Sequence, residues 1–278
     1  MEESALRNAR LGIVGTGVMA EAMLAGLLRQ GLVDARNIVA SHPRVERRSH
    51  LEGTHSIRTT YDNATAAREA DILLLAVKPQ MLRSVFDELR GVLPPDQLVI
   101  SVIAGATTGS LADGLQHPAV VRSMPNTPAQ IGQGVTVWYA TDAVDAQGKV
   151  RSGAMLSALG REFEVHDERQ VAMATAVSGT GPTYIFLFIE ALTDAAVHLG
   201  FPRHVARELV LDTMQGSAAF ALHSGKHVAE LRDMVTSPGG TSAAALYQLE
   251  RGRLRTVVSD AVQAAFDRTL QLEQALQG

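Results

Sequence analysis

Leu11-Gly12-Ile13-Val14-Gly15-Thr16-Gly17-Val18-Met19-Ala20 is the stretch that decides the fold. A short apolar run of β-formers ends in Gly15, and the spacing Gly15-x-Gly17-x-x-Ala20 opens a helical pattern over residues 20–30. Each small residue has a separate reason to be there. Gly15 permits the tight turn out of the strand, Gly17 lets the backbone approach a pyrophosphate, and Ala20 permits close helix packing. Glycine-rich turns also join strand to helix without any ligand, so the weight of the motif comes from its context.

That context is an alternation. Apolar runs at 11–14, 37–40, 72–76, 98–101, 120–123 and 135–140 are separated by amphipathic stretches such as 20–30 and 79–90. Continuous apolar strands between helices imply a mostly parallel sheet covered on both faces, an α/β Rossmann-type doubly wound domain. From Glu168 onward the strand signal stops, and long Ala- and Leu-rich helical patterns follow at 183–199, 203–223, 241–250 and 255–274. The expected division is a nucleotide-binding domain over 1–165 and an all-helical domain over 166–278. The helical part carries small residues in series, among them Ala218, Ala219, Ala243, Ala244, Ala245, Ala261, Ala264 and Ala265. Such positions allow close helix approach, either within the chain or against a second subunit.

Composition narrows the function classes. The chain has 278 residues, 46% hydrophobic and 19% charged, with a formal net charge of −4 and no block of like charge, which argues against a nucleic-acid surface. The absence of cysteine removes disulfides, thiol catalysis and cysteine-bound metals. The opening MEESALRNAR lacks the apolar core of a signal peptide. The longest apolar run, 184–192, is interrupted by Glu190 and is too short to span a bilayer, so a cytoplasmic protein without membrane contact is expected.

Where the second strand ends, a site for NAD usually carries an acidic residue to hold the ribose hydroxyls. Here that position holds Ser41, with Arg44 following and Arg47 and Arg48 behind. A hydroxyl and a guanidinium suit a 2′-phosphate, so NADPH is the expected cofactor, with NADH still open. Ala76-Val77-Lys78-Pro79 follows the apolar run 72–75, and ligands of doubly wound sheets lie beyond the carboxyl ends of strands. The turns at 101–106 and 124–128 occupy equivalent places.

A second anion site is legible far from the first. Val235-Thr236-Ser237-Pro238-Gly239-Gly240-Thr241-Ser242 leads into the helical pattern 241–250, with Thr241 or Ser242 available to cap it. Unpaired amides and the positive end of a helix dipole accept a small anion. Three other signals are discounted. His223 and His227 have helical metal-pair spacing, but Ser224 and Gly225 intervene and no further ligand stands nearby, so no metal is expected. Glu162, Glu164, Asp167 and Glu168 read as a solvated face, with Glu168 close to the domain junction. Ser178-Gly179-Thr180-Gly181-Pro182 lacks the order of a nucleophile elbow and reads as a helix start.

Five segments in this order carry a resemblance over essentially the whole chain: Gly15 to Ala20, Ala76 to Pro79, Arg122 to Pro128, Ser178 to Tyr184 and Asp233 to Gly240. The chain resembles the pyrroline-5-carboxylate reductases. The resemblance implies NAD(P)H-dependent reduction of the cyclic imine 1-pyrroline-5-carboxylate to L-proline. It also implies a helical C-terminal domain that builds an interlocked homodimer, often assembled further into a decamer. By position, it implies cofactor contacts from Gly15, Thr16, Gly17, Val18, Met19, Ala20, Ser41, Arg44, Asn63, Ala76, Val77, Lys78 and Pro79. It places the substrate carboxylate and ring nitrogen with Gly239, Gly240, Thr241 and Ser242. The chain departs from the family pattern at Ser242, usually Thr, at Thr180, commonly Ser, and at Ala172, frequently Asp.

The implied chemistry asks little of acid–base groups. A protonated cyclic imine is already electrophilic at the carbon that takes hydride, and positioning alone contributes about 7–11 kcal/mol at best. Ser242 is the expected catalytic contact, at the ring nitrogen. Two rival readings remain. A β-hydroxyacid dehydrogenase needs a lysine on the first helix of its second domain, and residues 178–200 contain none. A non-catalytic NADP-binding sensor is separated by turnover.

Overall fold

In this computed structural model, which describes residues 5–277, the apolar runs become the middle of one sheet. Its strands are β1 (Leu11–Val14), β2 (Ile38–Ser41), β3 (Arg58–Thr60), β4 (Ile72–Leu75), β5 (Leu98–Ser101), β6 (Val120–Met124), β7 (Gly134–Ala140) and β8 (Gly160–Glu164). The first four residues of the polar N-terminal stretch lie outside the described residues. Spatial order is β3-β2-β1-β4-β5-β6-β7-β8, parallel throughout except for the β6–β7 pair. The first six positions reproduce the nucleotide-binding doubly wound order.

Two strands carry no sequence signal. β3 is three residues of Arg-Thr-Thr on one edge, and β8 is Gly-Arg-Glu-Phe-Glu on the other. An edge strand has one hydrogen-bonded neighbour and can stay wet, so charge there is tolerated and even protective. The four central apolar runs, by contrast, are buried at every position.

Alternation along the strands feeds two cores, one on each sheet face. Leu11, Ile13, Ile72 and Leu74 join the cluster closed by α1 (Val18–Arg29), α2 (Val45–His55) and, further along the chain, residues 154–156. Val14, Leu73 and Leu75 face the cluster closed by α3 (Asn63–Arg68), α4 (Leu82–Leu89) and α5 (Thr108–Leu115). The helix contributing residues 154–156 is α6 (Ala146–Ser157). Side-chain caps start several of these helices: Asp62 for α3, Thr107 for α5 and Asp145 for α6. α1 begins at Gly17 with no side-chain cap, so its first amides stay available.

The chain divides into two compact units. One holds the described residues up to Thr180 together with those from Ala265 onward; the other is Gly181–Ala264. Composition changes near 165, yet the first unit continues past it. α7 (Arg169–Ala174) packs on β6 and β7 with Val171 and Ala172 buried. The second unit contains α8 (Gly181–His198), α9 (Arg203–Ser224), α10 (Val228–Met234), α11 (Thr241–Arg251) and the start of α12 (Leu254–Gln277). The later part of α12 belongs to the first unit, where Leu272 and Leu276 lie against Gly105.

The second unit, taken by itself, has almost no interior. Among its described residues only Thr193, Ala206 and Val210 are buried, while Phe186, Leu187, Phe220, Leu222 and Tyr247 are more than half exposed. Apolar surface on this scale marks an interface. The helical run Arg169–His198 is long and apolar enough to cross a bilayer, with a mean hydropathy of 1.3 over a stretch that is 11% buried. The expectation from residues 184–192 alone misses this, because the apolar face continues through helical neighbours on either side of Glu190. Exposure of that face calls for a covering partner, and a second subunit answers it as well as lipid does.

Candidate functional site

Register brings the predicted loops together. Val14 pairs with Ser41 on one side and with Leu75 on the other, so Gly15, His42 and Ala76 leave the sheet side by side. Gly15 sits at φ +87, a left-handed conformation, and a Cβ there would meet Val77 N and Cγ1 at 2.7 Å and Ala76 C at 2.8 Å. No side chain fits. Gly17 is different: a Cβ would meet nothing within 4 Å, because its open side faces the cleft.

That cleft, about 690 Å³, lies over the carboxyl ends of β1, β2 and β4. Of the cofactor residues expected from sequence, Gly15, Thr16, Gly17, Val18, Ser41, Arg44, Asn63, Ala76, Val77 and Lys78 line it. Ala20 is buried and Met19 packs on the core, so both support the loop from behind. Pro79 opens a short 3-10 turn and lines a neighbouring cleft. The sequence gives no sign of His42, Tyr61, Met81, Ser84, Val85 or Glu88, which complete the wall from irregular loops and from α4. The Thr16 hydroxyl is buried there with no hydrogen-bond partner among the described residues. An orphaned donor, an open backbone at Gly17 and an uncapped helix start together fit a dinucleotide phosphate.

The arginines have distinct roles. Arg47 donates from Nε to the Thr16 carbonyl at 2.9 Å and pairs with Glu21, which ties the glycine loop to α2. Arg48 donates to the carbonyls of His42 and Pro43 at 2.8 and 3.0 Å. Arg44 is exposed, and its guanidinium makes no ion pair among the described residues. Burial pushes the His42 imidazole down from its ordinary value, as do the neighbouring Arg44, Arg47 and Arg48, against a backbone hydrogen bond from Arg44.

Glu21 collects three donors: Arg47, His50 at 2.9 Å and His55 at 3.4 Å. Burial raises its carboxyl, but hydrogen bonds from these three outweigh that and bring it to about 2, against an ordinary 4.5. A depressed carboxyl stabilises the fold above its unfolded value and loses that contribution as pH falls through the folded one. Glu21→Gln is therefore expected to lower the urea midpoint at about pH 7 and to differ much less from the parent at about pH 3. A gap of equal size at both values would remove Glu21 as the source.

The stretch expected to hold a second anion leads into α11. Gly239 is left-handed at φ +71, the Gly240 amide donates to Ser237 O at 3.0 Å, and Gly240 is the residue before the helix. Neither Thr241 nor Ser242 caps it; they occupy the first two helical positions, with no side-chain cap at all. The reason is geometric, since Gly240 already takes the extended conformation that a cap residue needs. The first bond across the turn is Ala244 N–H to Gly240 O, so the amides of residues 241–243 have no intrahelical acceptor.

The other signals resolve individually. Ser178 and Gly179 close a π-helical turn, Thr175–Gly179, that precedes α8, and Asn126 Nδ2 donates to the Ser178 carbonyl at 3.0 Å. Two motifs far apart in sequence thus meet at one turn, and π turns recur at functional sites. Glu168 is not a solvated acid. It binds Arg122 at 3.0 Å and receives Thr108 N and Oγ1 at 2.7 Å each, and Arg122 also pairs with Glu273 of α12. His227 caps α10, and His223 bonds the Ala219 carbonyl at 2.7 Å.

Residues 168–272 match the family model for pyrroline-5-carboxylate reductase dimerisation, and 10–105 match that for NADP oxidoreductase, coenzyme F420-dependent. The pyrroline-5-carboxylate reductase of Synechocystis is 40% identical over 95% of this chain and 98% of its own. That of Pseudomonas aeruginosa is 41% identical over 96% and 98%. Among solved structures, the Plasmodium falciparum pyrroline carboxylate reductase with NADP bound superposes with a TM-score of 0.88, at 31% identity over 96% of this chain and 99% of that one.

Proposed function

The chain belongs to the pyrroline-5-carboxylate reductase family, and on that premise we propose which of its residues carry the reaction. It is an NADP-dependent oxidoreductase that reduces 1-pyrroline-5-carboxylate to L-proline, the last step of proline biosynthesis. Its helical part is a dimerisation domain, which accounts for the apolar surface of the second unit. We take residues 1–165 as the nucleotide-binding domain and 166–278 as the substrate-binding and dimerising one. We also propose a cytoplasmic homodimer, with a decamer as its larger assembly.

The observation that carries the substrate assignment is the bare start of α11. Gly239 and Gly240 turn the chain into the helix, and the amides of Thr241 and Ser242, which have no intrahelical acceptor, offer donors and a helix dipole to the substrate carboxylate. The Ser242 hydroxyl accepts from the ring N–H of the protonated imine and remains hydrogen-bonded to nitrogen as the C=N bond becomes a C–N bond. On the nucleotide side, Gly17 admits the pyrophosphate, Thr16 supplies its orphaned hydroxyl, Arg44 faces the 2′-phosphate, and Ser41 lies beside the ribose at that end. Val18, Asn63, Ala76, Val77 and Lys78 complete the wall, with Met19, Ala20 and Pro79 holding it in shape. Bound NADPH supplies the hydride.

Saturable NADPH oxidation with 1-pyrroline-5-carboxylate, yielding proline, tests the activity and separates it from cofactor binding without turnover. Ser242→Ala is expected to lower kcat by about tenfold to a hundredfold while leaving the melting temperature and the NADPH affinity in place. An unchanged kcat would take Ser242 out of the reaction.

A further inference from the structure

We propose that Glu88 of α4 sets the preference between a cofactor bearing a ribose 2′-phosphate and one bearing a 2′-hydroxyl. It does so by fixing which way round the Asn63 amide sits beside Ser41. The inference rests on the assignment of Ser41 and Arg44 to that end of the nucleotide.

Three side chains form a relay along one wall of the cleft. Ser41 Oγ lies 2.6 Å from Asn63 Oδ1 and 3.2 Å from the Ile13 carbonyl, and Asn63 Nδ2 donates to Glu88 Oε2 at 2.7 Å. Ser84 Oγ holds the other carboxylate oxygen at 3.2 Å. All but Ile13 line the same cleft.

The donor count decides the orientation. A carboxylate has only acceptors, so Asn63 must turn its NH2 toward Glu88 and its carbonyl toward Ser41. The Ser41 hydroxyl has one proton and two carbonyl-type acceptors within reach, so that proton is already committed. What Ser41 then offers the cleft is a lone pair. A 2′-hydroxyl can donate to it; a 2′-phosphate, with acceptor oxygens, cannot. Recruiting the Ser41 proton to a phosphate would leave the Asn63 carbonyl short of a partner. The negative charge of Glu88 in the same cleft adds to the discrimination, and Arg44 opposes it. Glu88 is exposed, so it can be changed without disturbing the core.

Glu88→Gln keeps the size, removes the charge and accepts either orientation of Asn63; Glu88→Ala removes the lock altogether. Equilibrium titration with NADP+ and NAD+, which needs no turnover, is expected to shift affinity toward NADP+ by about tenfold in both variants. Arg44→Ala is expected to shift it the opposite way. If Arg44→Ala moves the ratio and neither Glu88 variant does, the role of Glu88 is overturned and the phosphate placement stands. An unchanged ratio in Arg44→Ala overturns both.

Discussion

Arg122→Ala is expected to melt on the order of 10 °C below the parent chain. The guanidinium is 4% exposed and stands between two carboxylates, Glu168 at 25% and Glu273 at 14%. Removing it leaves two half-buried negative charges facing each other, and breaking a buried pair from one side costs about 3–5 kcal/mol. The position magnifies the effect. Glu168 also holds the first amide and the hydroxyl of Thr108 at the start of α5, and Glu273 fixes the last turns of α12. One arginine therefore joins β6, α5, α7's leading edge and the C-terminal helix within the first unit. Combining Arg122→Met with Glu168→Gln and Glu273→Gln removes every charge together, and most of the lost stability is expected to return. A single alanine variant that melts with the parent, by calorimetry or circular dichroism, sinks the clamp.

This clamp also marks the boundary of what sequence can convey. The central strands are legible because burial on both faces forces an unbroken apolar run, as in Ile72–Leu75. β3 and β8 are not, because an edge strand is free to be Arg-Thr-Thr or Gly-Arg-Glu-Phe-Glu. The glycine loop is legible because two backbone constraints at fixed spacing leave no other residue for Gly15. Glu88, Tyr61 and Ser84 reach the cleft only through tertiary placement of α3 and α4, and nothing in their local spacing records it. Glu168 shows the same limit from the other side. As one of four acids near 165 it reads as a solvated face, and only the strand carrying Arg122, 46 residues earlier, reveals its partner. At α11 the hydroxyls of Thr241 and Ser242 suggest a cap; the backbone at Gly240 leaves them inside the first turn instead, which keeps Ser242 available to a ligand.

Gly17→Val is expected to keep the fold and to weaken NADPH binding by about a hundredfold, a loss of roughly 2–3 kcal/mol. The two glycines of the loop separate folding from binding. At Gly15 an added Cβ meets the backbone of Ala76 and Val77 at 2.7–2.8 Å in a left-handed conformation, so Gly15→Ala strains the β1–β4 edge before any ligand arrives. At Gly17 the backbone is extended, with φ −73 and ψ −175, and the added carbon points into open space. Valine there loses at most about 1 kcal/mol as a poorer residue at a helix start. Its methyl groups instead occupy the volume in which the pyrophosphate approaches the α1 amides, and an anion held off by a side chain forfeits both the hydrogen bonds and the dipole. Fluorescence titration with NADPH, alongside thermal melting, checks both halves. A Gly17→Val protein that melts like the parent but binds NADPH equally well places the pyrophosphate somewhere other than the start of α1. A protein that fails to fold contradicts the open space at Gly17, and Gly17→Ala, with a single methyl, then reports on binding alone.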